Sequence, residues 1–190
     1  IGIQSFFEAE LVWMNRAHNA GQAEACIEQS LQAGFNNFSI DLIYGLPDLS
    51  NEQWLHHLER ALQLNVQHIS AYCLTIESKT ALEHFVNNGK LKRPTEDQQG
   101  EQFDLLVRTL KQAGFEQYEI SNFAKDQKYA RHNSSYWNFT SYVGVGPSAH
   151  SFNGNQRRWN IANNSKYYQQ VGKDNDRFEE ETLSPTEKWN

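Results

Sequence analysis

The sequence predicts an α/β fold with parallel strands, and three observations carry that prediction. Apolar, strand-like runs recur about every 30 to 40 residues, with helical patterns between them. The helices open on capping signals, Ser50-Asn51-Glu52-Gln53 and Thr95-Glu96-Asp97-Gln98. Two of them end on a shared Gln-Ala-Gly-Phe, in Leu31-Gln32-Ala33-Gly34-Phe35 and Lys111-Gln112-Ala113-Gly114-Phe115, where Gly is the left-handed cap and Phe begins a strand. This is one αβ unit's chemistry used twice, without the fixed period of a solenoid.

Taken in order, Ile1 to Phe6 reads as a short strand. Residues 22 to 33 carry Ala23, Ile27, Ser30 and Leu31 at helical spacing. Phe38 to Tyr44 is a mostly apolar run, as in a strand covered on both faces. The Ser50 helix follows, with Trp54, Leu55, Leu58, Ala61 and Leu62 on its buried side. Ile69 to Leu74 is the next strand. The Thr95 helix presents Phe103, Leu106, Val107 and Leu110 on one stripe. Beyond about residue 125 the texture changes: Asn and aromatics become dense, and helical periodicity fades. Tyr142 to Phe152 is Gly-rich and strand-like, and Ser165 to Val171 suits a short helix. Gly172 to Arg177 reads as a polar linker, and Ser184-Pro185-Thr186-Glu187 as the opening of a further helix. Three parts are expected: 1–125, an α/β body; 126–175, an aromatic-rich extension; and 176–190, a linker leading into a further domain.

With 190 residues, 38% of them hydrophobic and 13% aromatic, the chain can bury a core of its own. The net charge of −6 speaks against nucleic acid, whose binders carry a basic stripe. No run of 18 apolar residues is present, so no membrane span is expected. Cys26 and Cys73 read as two buried thiols in a reducing, cytoplasmic compartment, and no CxxC or CxxxCxxC pair offers a metal cluster. The chain opens on Ile within an apolar run and ends just past a helix-start pattern, so both ends are expected to be internal to a longer protein.

In parallel α/β folds ligands bind at the C-terminal ends of the strands. Polar residues late in the apolar runs are therefore the candidates. Gln4 follows Ile1-Gly2-Ile3, and Asp41 interrupts Phe38 to Ile43. A carboxylate there is costly unless protein or ligand hydrogen-bonds it. Arg16 lies 12 residues past Gln4, on what reads as the next helical stretch. Arg grips a carboxylate through two bonds, and Gln with Asp suits hydroxyls and an amino group. Together they fit a zwitterionic, nucleoside-like ligand, with a purely structural Asp and a solvated Arg as the alternative. The second constellation is His132-Asn133-Ser134-Ser135-Tyr136-Trp137. Its imidazole and phenol are both possible iron ligands, and its indole can stack on a flat ring. A packed aromatic junction is the alternative there.

Gly2-Ile3-Gln4-Ser5-Phe6, Asn15-Arg16-Ala17-His18, Ser39 to Pro47 and His68 to Leu74 resemble the fourth to sixth barrel units of the HemN/HemW radical SAM family. The resemblance implies the C-terminal portion of a partial (β/α)6 barrel. It also implies S-adenosylmethionine (SAM) contacts from Gln4, Arg16 and Asp41. Asn15 departs from the Gly usual before that Arg. H-N-x-x-Y-W resembles the signature of the HemW-type haem chaperones. It implies haem binding, with His132 as preferred axial ligand, Tyr136 as the second choice, and Asn133 and Trp137 supporting or stacking. The partners implied are haem or porphyrin and haem-receiving client proteins. The alternative within the family is an oxygen-independent coproporphyrinogen III oxidase. The family's 4Fe–4S cluster sits on a CxxxCxxC motif that this chain does not carry, so its ligands are expected outside the chain. No catalytic residue is assigned, and no SAM cleavage is expected from this chain alone. Glu119 and Asn122 match a family segment without an evident role. Gly144 to Ser151 matches another, with His150 as a lower-ranked porphyrin contact. Arg157 and Arg158 are either propionate partners or a solvated pair. His56, His57, His68 and His84 read as ordinary helix or strand-edge residues.

Overall fold

In the computed structural model, which describes residues 1–172 and 178–184, the chain forms two units, Ile1–Ala130 and Arg131–Asn190. The first is built on a five-stranded sheet, β1 (Gly2–Gln4), β2 (Ser39–Tyr44), β3 (His68–Cys73), β4 (Glu116–Gln117) and β5 (Asn122–Ala124), in the order β1-β2-β3-β5-β4. Strands β1 to β3 are parallel, as expected from the helices α2 (Ala20–Gln32) and α3 (Asn51–Gln63) that connect them. Strands β4 and β5 are antiparallel to their neighbours, which the sequence reading did not foresee. The reason is local. Only a short turn separates Gln117 from Asn122, and a parallel pair needs a crossover of about a dozen residues.

The capping chemistry is largely as read. Ser50 accepts from the Gln53 N–H while the Gln53 side chain accepts from the Ser50 N–H, a complete capping box at α3. At α5 (Glu96–Gln112), Thr95 caps the Gln98 N–H, but the Gln98 side chain leaves the box. Its amide instead donates to the carbonyls of Leu46 (3.0 Å) and Leu49 (2.7 Å). Gly34 (φ +87°) and Gly114 (φ +83°) end α2 and α5 in the same way. In both, the following Phe N–H reaches back to the third residue from the helix end, Phe35 to Ser30 and Phe115 to Leu110.

One face of the sheet packs on the helices. Ile3, Ile40, Leu42, Tyr44, Ile69, Ala71 and Phe123 meet Ile27 of α2, Trp54 and Leu58 of α3, and Leu106 and Leu110 of α5. Gln102 is buried in this layer. Its Oε1 accepts from the Gly45 N–H (2.8 Å), its Nε2 donates to the Leu49 carbonyl (2.8 Å), and its own carbonyl accepts from the Trp54 indole (3.0 Å). The sequence reading did not foresee the short helices α1 (Glu8–Trp13) and α4 (Ala81–Asn87), although Thr80-Ala81-Leu82-Glu83 marks the start of α4 and Thr80 caps the Glu83 N–H at 3.2 Å. His57, read as an ordinary helix residue, is buried. It accepts from the Phe6 N–H at Nδ1 and faces Glu10 through Nε2 at 2.9 Å. Cys26 also departs from expectation: it is exposed on α2, and Cys73 is half-buried on β3.

The second unit contains α6 (Arg131–Trp137), α7 (Asn164–Gln170) and an antiparallel sheet of β6 (His150–Phe152), β7 (Gln156–Asn160) and β8 (Phe178–Thr182). The Gly-rich stretch from Tyr142 is not one strand, because only a single Tyr142–Phe152 bridge precedes β6. Gly144 lies so close to the following chain that a Cβ there would stand 2.1 Å from the His150 carbonyl oxygen. The linker expected at Gly172 to Arg177 lies, from residue 173, outside the described residues, as does the helix start expected after Ser184.

Candidate functional site

In the first unit, the sheet face opposite the packed helices carries polar side chains, of which His68, Ser70 and Asn122 are buried. Strand alternation puts Ser39 and Asp41 of β2 opposite the buried Ile40 and Leu42. Register then pairs Asp41 with Gly2 on one side and Ser70 on the other, Ser39 with His68, and Ser70 with Asn122. Polar residues thus run side by side across three strands, β2, β3 and β5, with Gly2 of β1 at the end of the row.

Their hydrogen bonds have a single direction. Asn122 donates through Nδ2 to the Glu119 carboxylate, so its Oδ1 accepts the Ser70 hydroxyl at 2.6 Å. Ser39 then donates to Ser70 (3.3 Å) and accepts from His68 Nδ1 (2.6 Å). That leaves His68 Nε2 to accept from the Tyr118 hydroxyl at 2.7 Å, and Tyr118 in turn accepts from the Ala130 N–H. Burial lowers the His68 pKa to about 4, so the ring is neutral at pH 7, as this chain requires. Sequence reading missed His68, Ser70 and Tyr118. The signal available was His68-Ile69-Ser70, polar residues at period two beside Ser39-Ile40-Asp41. Glu119 and Asn122, which had no evident role, close the network.

Gln4 and Arg16 meet directly, with the Arg16 guanidinium donating to Gln4 Oε1 at 3.1 Å. Gln4 adopts φ +68°, an uncommon conformation for a residue other than Gly, and the β1–β2 register shifts between Gly2 and Gln4. A Cβ on Gly2 would lie 2.8 Å from the Gln4 side-chain nitrogen, so a side chain there would have to displace the Gln4 amide. Arg16 is not on a helix, contrary to expectation. It follows the end of α1, where Asn15 (φ +54°) turns the chain and the Arg16 N–H returns to the Leu11 carbonyl. A left-handed cap favours Gly and then Asn, which explains the departure at Asn15. Asp41 lies beside Ser70 in register, and burial pushes its carboxyl above the usual range, with the α-amino group and then the nearby Ser70 hydroxyl pulling the other way.

In the second unit, His132 and Tyr136 share one face of α6. Their rings stand 5.2 Å apart, edge to face, and Nε2 lies 3.3 Å from the phenol oxygen. Tyr136 (49%) and Trp137 (58%) are exposed, and Asn133 is half-buried. Arg157 is paired with Glu181 at 3.1 Å, and the Arg158 guanidinium lies over the Phe178 ring at 3.5 Å, so neither is simply solvated. Among the described residues no three His, Cys, Asp or Glu side chains gather as a metal site.

No family model matches the chain. The structure resembles coproporphyrinogen III oxidase (HemN) from Escherichia coli, a radical SAM enzyme, with a TM-score of 0.78 over 96% of this chain and 45% of that one. Sequence identity there is 23%, so what is shared is the fold. The architecture is thus the fold of that enzyme, an α/β structure with a mixed sheet. Among curated proteins, the heme chaperone HemW of Mycobacterium tuberculosis (strain ATCC 25618 / H37Rv) is 35% identical over 167 residues, 88% of this chain and 43% of that protein. HemW of Bacillus subtilis (strain 168) is 34% identical, over 84% of this chain and 42% of its own length. The mitochondrial radical S-adenosyl methionine domain-containing protein 1 of Mus musculus is 38% identical, over 79% and 34%. The chain belongs to the HemW/HemN family of radical SAM proteins and spans less than half the length of these curated relatives.

Proposed function

We propose that this chain forms part of a haem chaperone, a protein that binds haem and passes it to client enzymes. In this reading the first unit supplies one wall of a SAM site. Arg16, already against Gln4, grips the carboxylate of the ligand, and Asp41 takes a hydroxyl or amino donor. The strained Gln4 backbone supports that placement, since such conformations gather at ligand sites. A 4Fe–4S cluster does not fit the described residues: Cys26 and Cys73 sit on α2 and β3, and no group of three His, Cys, Asp or Glu gathers among the described residues. In this reading the cluster's cysteines would come from outside this chain.

One observation carries the haem reading: His132 and Tyr136 stand together on one exposed helix face, with Trp137 beside them. His132 would ligate the iron, Tyr136 would orient it or substitute for it, and Asn133 and Trp137 would flank the ring. Bound haem would supply the cargo, not a reaction. The test is a haemin titration of the chain and of His132→Ala, followed by Soret absorbance. Binding weaker by about tenfold or more is expected for the variant. Identical affinity and spectra would remove His132 as ligand. Anaerobic, SAM-dependent turnover of coproporphyrinogen III by the intact protein would replace the chaperone with the oxidase.

A further inference from the structure

His18 closes the Asn15-Arg16-Ala17-His18 segment, and neither candidate site uses it. Of residues 15–19 it alone is not exposed. Its Nε2 lies 3.0 Å from the Ile3 carbonyl, 15 residues back in the chain. A carbonyl only accepts, so Nε2 carries the proton. The same carbonyl accepts the Ser5 N–H at 2.9 Å. A bond from the Ser5 N–H back to Ile3, about Gln4 with φ +68°, is the rarer and strained form of the γ-turn. Such a conformation persists only where its surroundings hold it in place. Downstream, the buried Ser5 donates to Glu10 Oε2 at 2.7 Å, and His57 Nδ1 accepts from the Phe6 N–H at 3.2 Å. Upstream, the side chain that holds the Ile3 peptide is His18.

The turn decides where the Gln4 amide goes. The amide folds back over Gly2, where a Cβ would stand 2.8 Å from Nε2, and Gly2 is the register partner of Asp41. Arg16 donates to Gln4 Oε1 at 3.1 Å, so the amide keeps its N–H donors for a ligand. That pair is exposed and competes with water, so it does not fix the geometry by itself. The backbone of the Arg16 segment is anchored at both ends. The Arg16 N–H bonds the Leu11 carbonyl, and Asn19 caps α2 by accepting from the Gln22 N–H at 2.8 Å. His18 sits between these anchors and joins the segment to the turn at Gln4. We infer that His18 is a positioning residue: through the Ile3 carbonyl it holds the turn that sets the Gln4 amide against Arg16 and over Gly2, next to Asp41. It touches no ligand and acts through Gln4. The inference rests on the SAM reading of the first unit and is independent of haem.

The experiment measures the SAM affinity of the intact protein by equilibrium dialysis, with circular dichroism as the folding control. Gln4→Ala and Arg16→Ala should each weaken SAM binding by about tenfold or more. His18→Phe keeps a ring but loses the N–H, and should weaken it about three- to tenfold. His18→Gln places an amide N–H near the same point and should bind within about twofold of the unsubstituted protein. In a Gln4→Ala background, His18→Phe should add less than about twofold, because its effect passes through Gln4. A merely structural histidine would lower stability without this coupling. Unchanged affinity in His18→Phe, a His18→Gln protein as weak as His18→Phe, or losses that add in the double variant each overturn the inference and leave the SAM reading in place. Gln4→Ala and Arg16→Ala proteins that bind SAM like the unsubstituted one overturn the SAM reading itself. If His18→Phe does not fold, the imidazole nitrogen NMR spectrum of the unsubstituted protein decides. A proton on Nε2 is expected, and one on Nδ1 instead overturns the inference.

Discussion

The two units solve the folding problem differently. In Ile1–Ala130, apolar side chains from three long helices close over one sheet face, and Trp54, Leu58, Ile40, Leu106 and Leu110 are wholly buried. In the second unit, Phe152 alone among the described residues is a buried hydrophobic side chain. Its order comes from strand pairing and from aromatic pairs such as Tyr136–Tyr142 and Tyr142–Phe152, while Val143, Val145 and Tyr168 stay exposed. A unit that buries its apolar groups is specified by packing. One that leaves rings and imidazoles at its surface has them available for a ligand.

The largest test of that contrast is Trp54→Ala. It removes a fully buried indole, the stack on Tyr44 and the bond to the Gln102 carbonyl, and should cost about 3–5 kcal/mol in urea unfolding. Trp137→Ala, in the second unit, should change stability by no more than about 0.5 kcal/mol while weakening haemin binding. Equal costs at the two tryptophans would break the comparison.

The next effect is acid sensitivity of the first unit. The folded His68 pKa of about 4 lies below the unfolded value near 6.5, so the unfolded state binds the extra proton between them. Stability should be fully present above about pH 6.5 and fall by up to about 3 kcal/mol toward pH 4. His68→Gln should flatten that slope in denaturation series across this range. A slope unchanged in the variant would assign the acid sensitivity elsewhere.

The smallest expected change is at Asp41. Its carboxyl is raised, so the fold favours the protonated form, and that stabilisation is lost as pH rises through the folded pKa. Asp41→Asn should therefore raise the thermal midpoint slightly at pH 7, by less than about 1 kcal/mol of stability, and not below the carboxylate range. SAM binding by the intact protein should weaken at the same time. A loss of stability at pH 7 would show that the protein, not a ligand, satisfies the charge.

The parts legible in the sequence were those governed by neighbours along the chain. Ser50, Thr95, Gly34 and Gly114 mark helix ends because a cap is made within a few residues. Asp41 stood out because a carboxylate in an apolar run has few reasons to be there. The antiparallel β4 and β5, the bonds of Gln98 and Gln102, and the burial of His57 were not legible. Each depends on a partner many residues away, such as Leu49 for Gln102 or Glu10 for His57.

By itself, then, the sequence determined the α/β class, the order of the parallel units, and the residue types at both candidate sites, because period, caps and motif spacing are local quantities. Only the tertiary structure decided that Gln4 and Arg16 touch and that His68, Ser39, Ser70 and Asn122 form one directed network. It also decided that the His150 imidazole stacks on the Trp159 indole across β6 and β7. Those facts follow from strand register and from which backbone segments packing brings together, and neither is written in any single stretch of the chain.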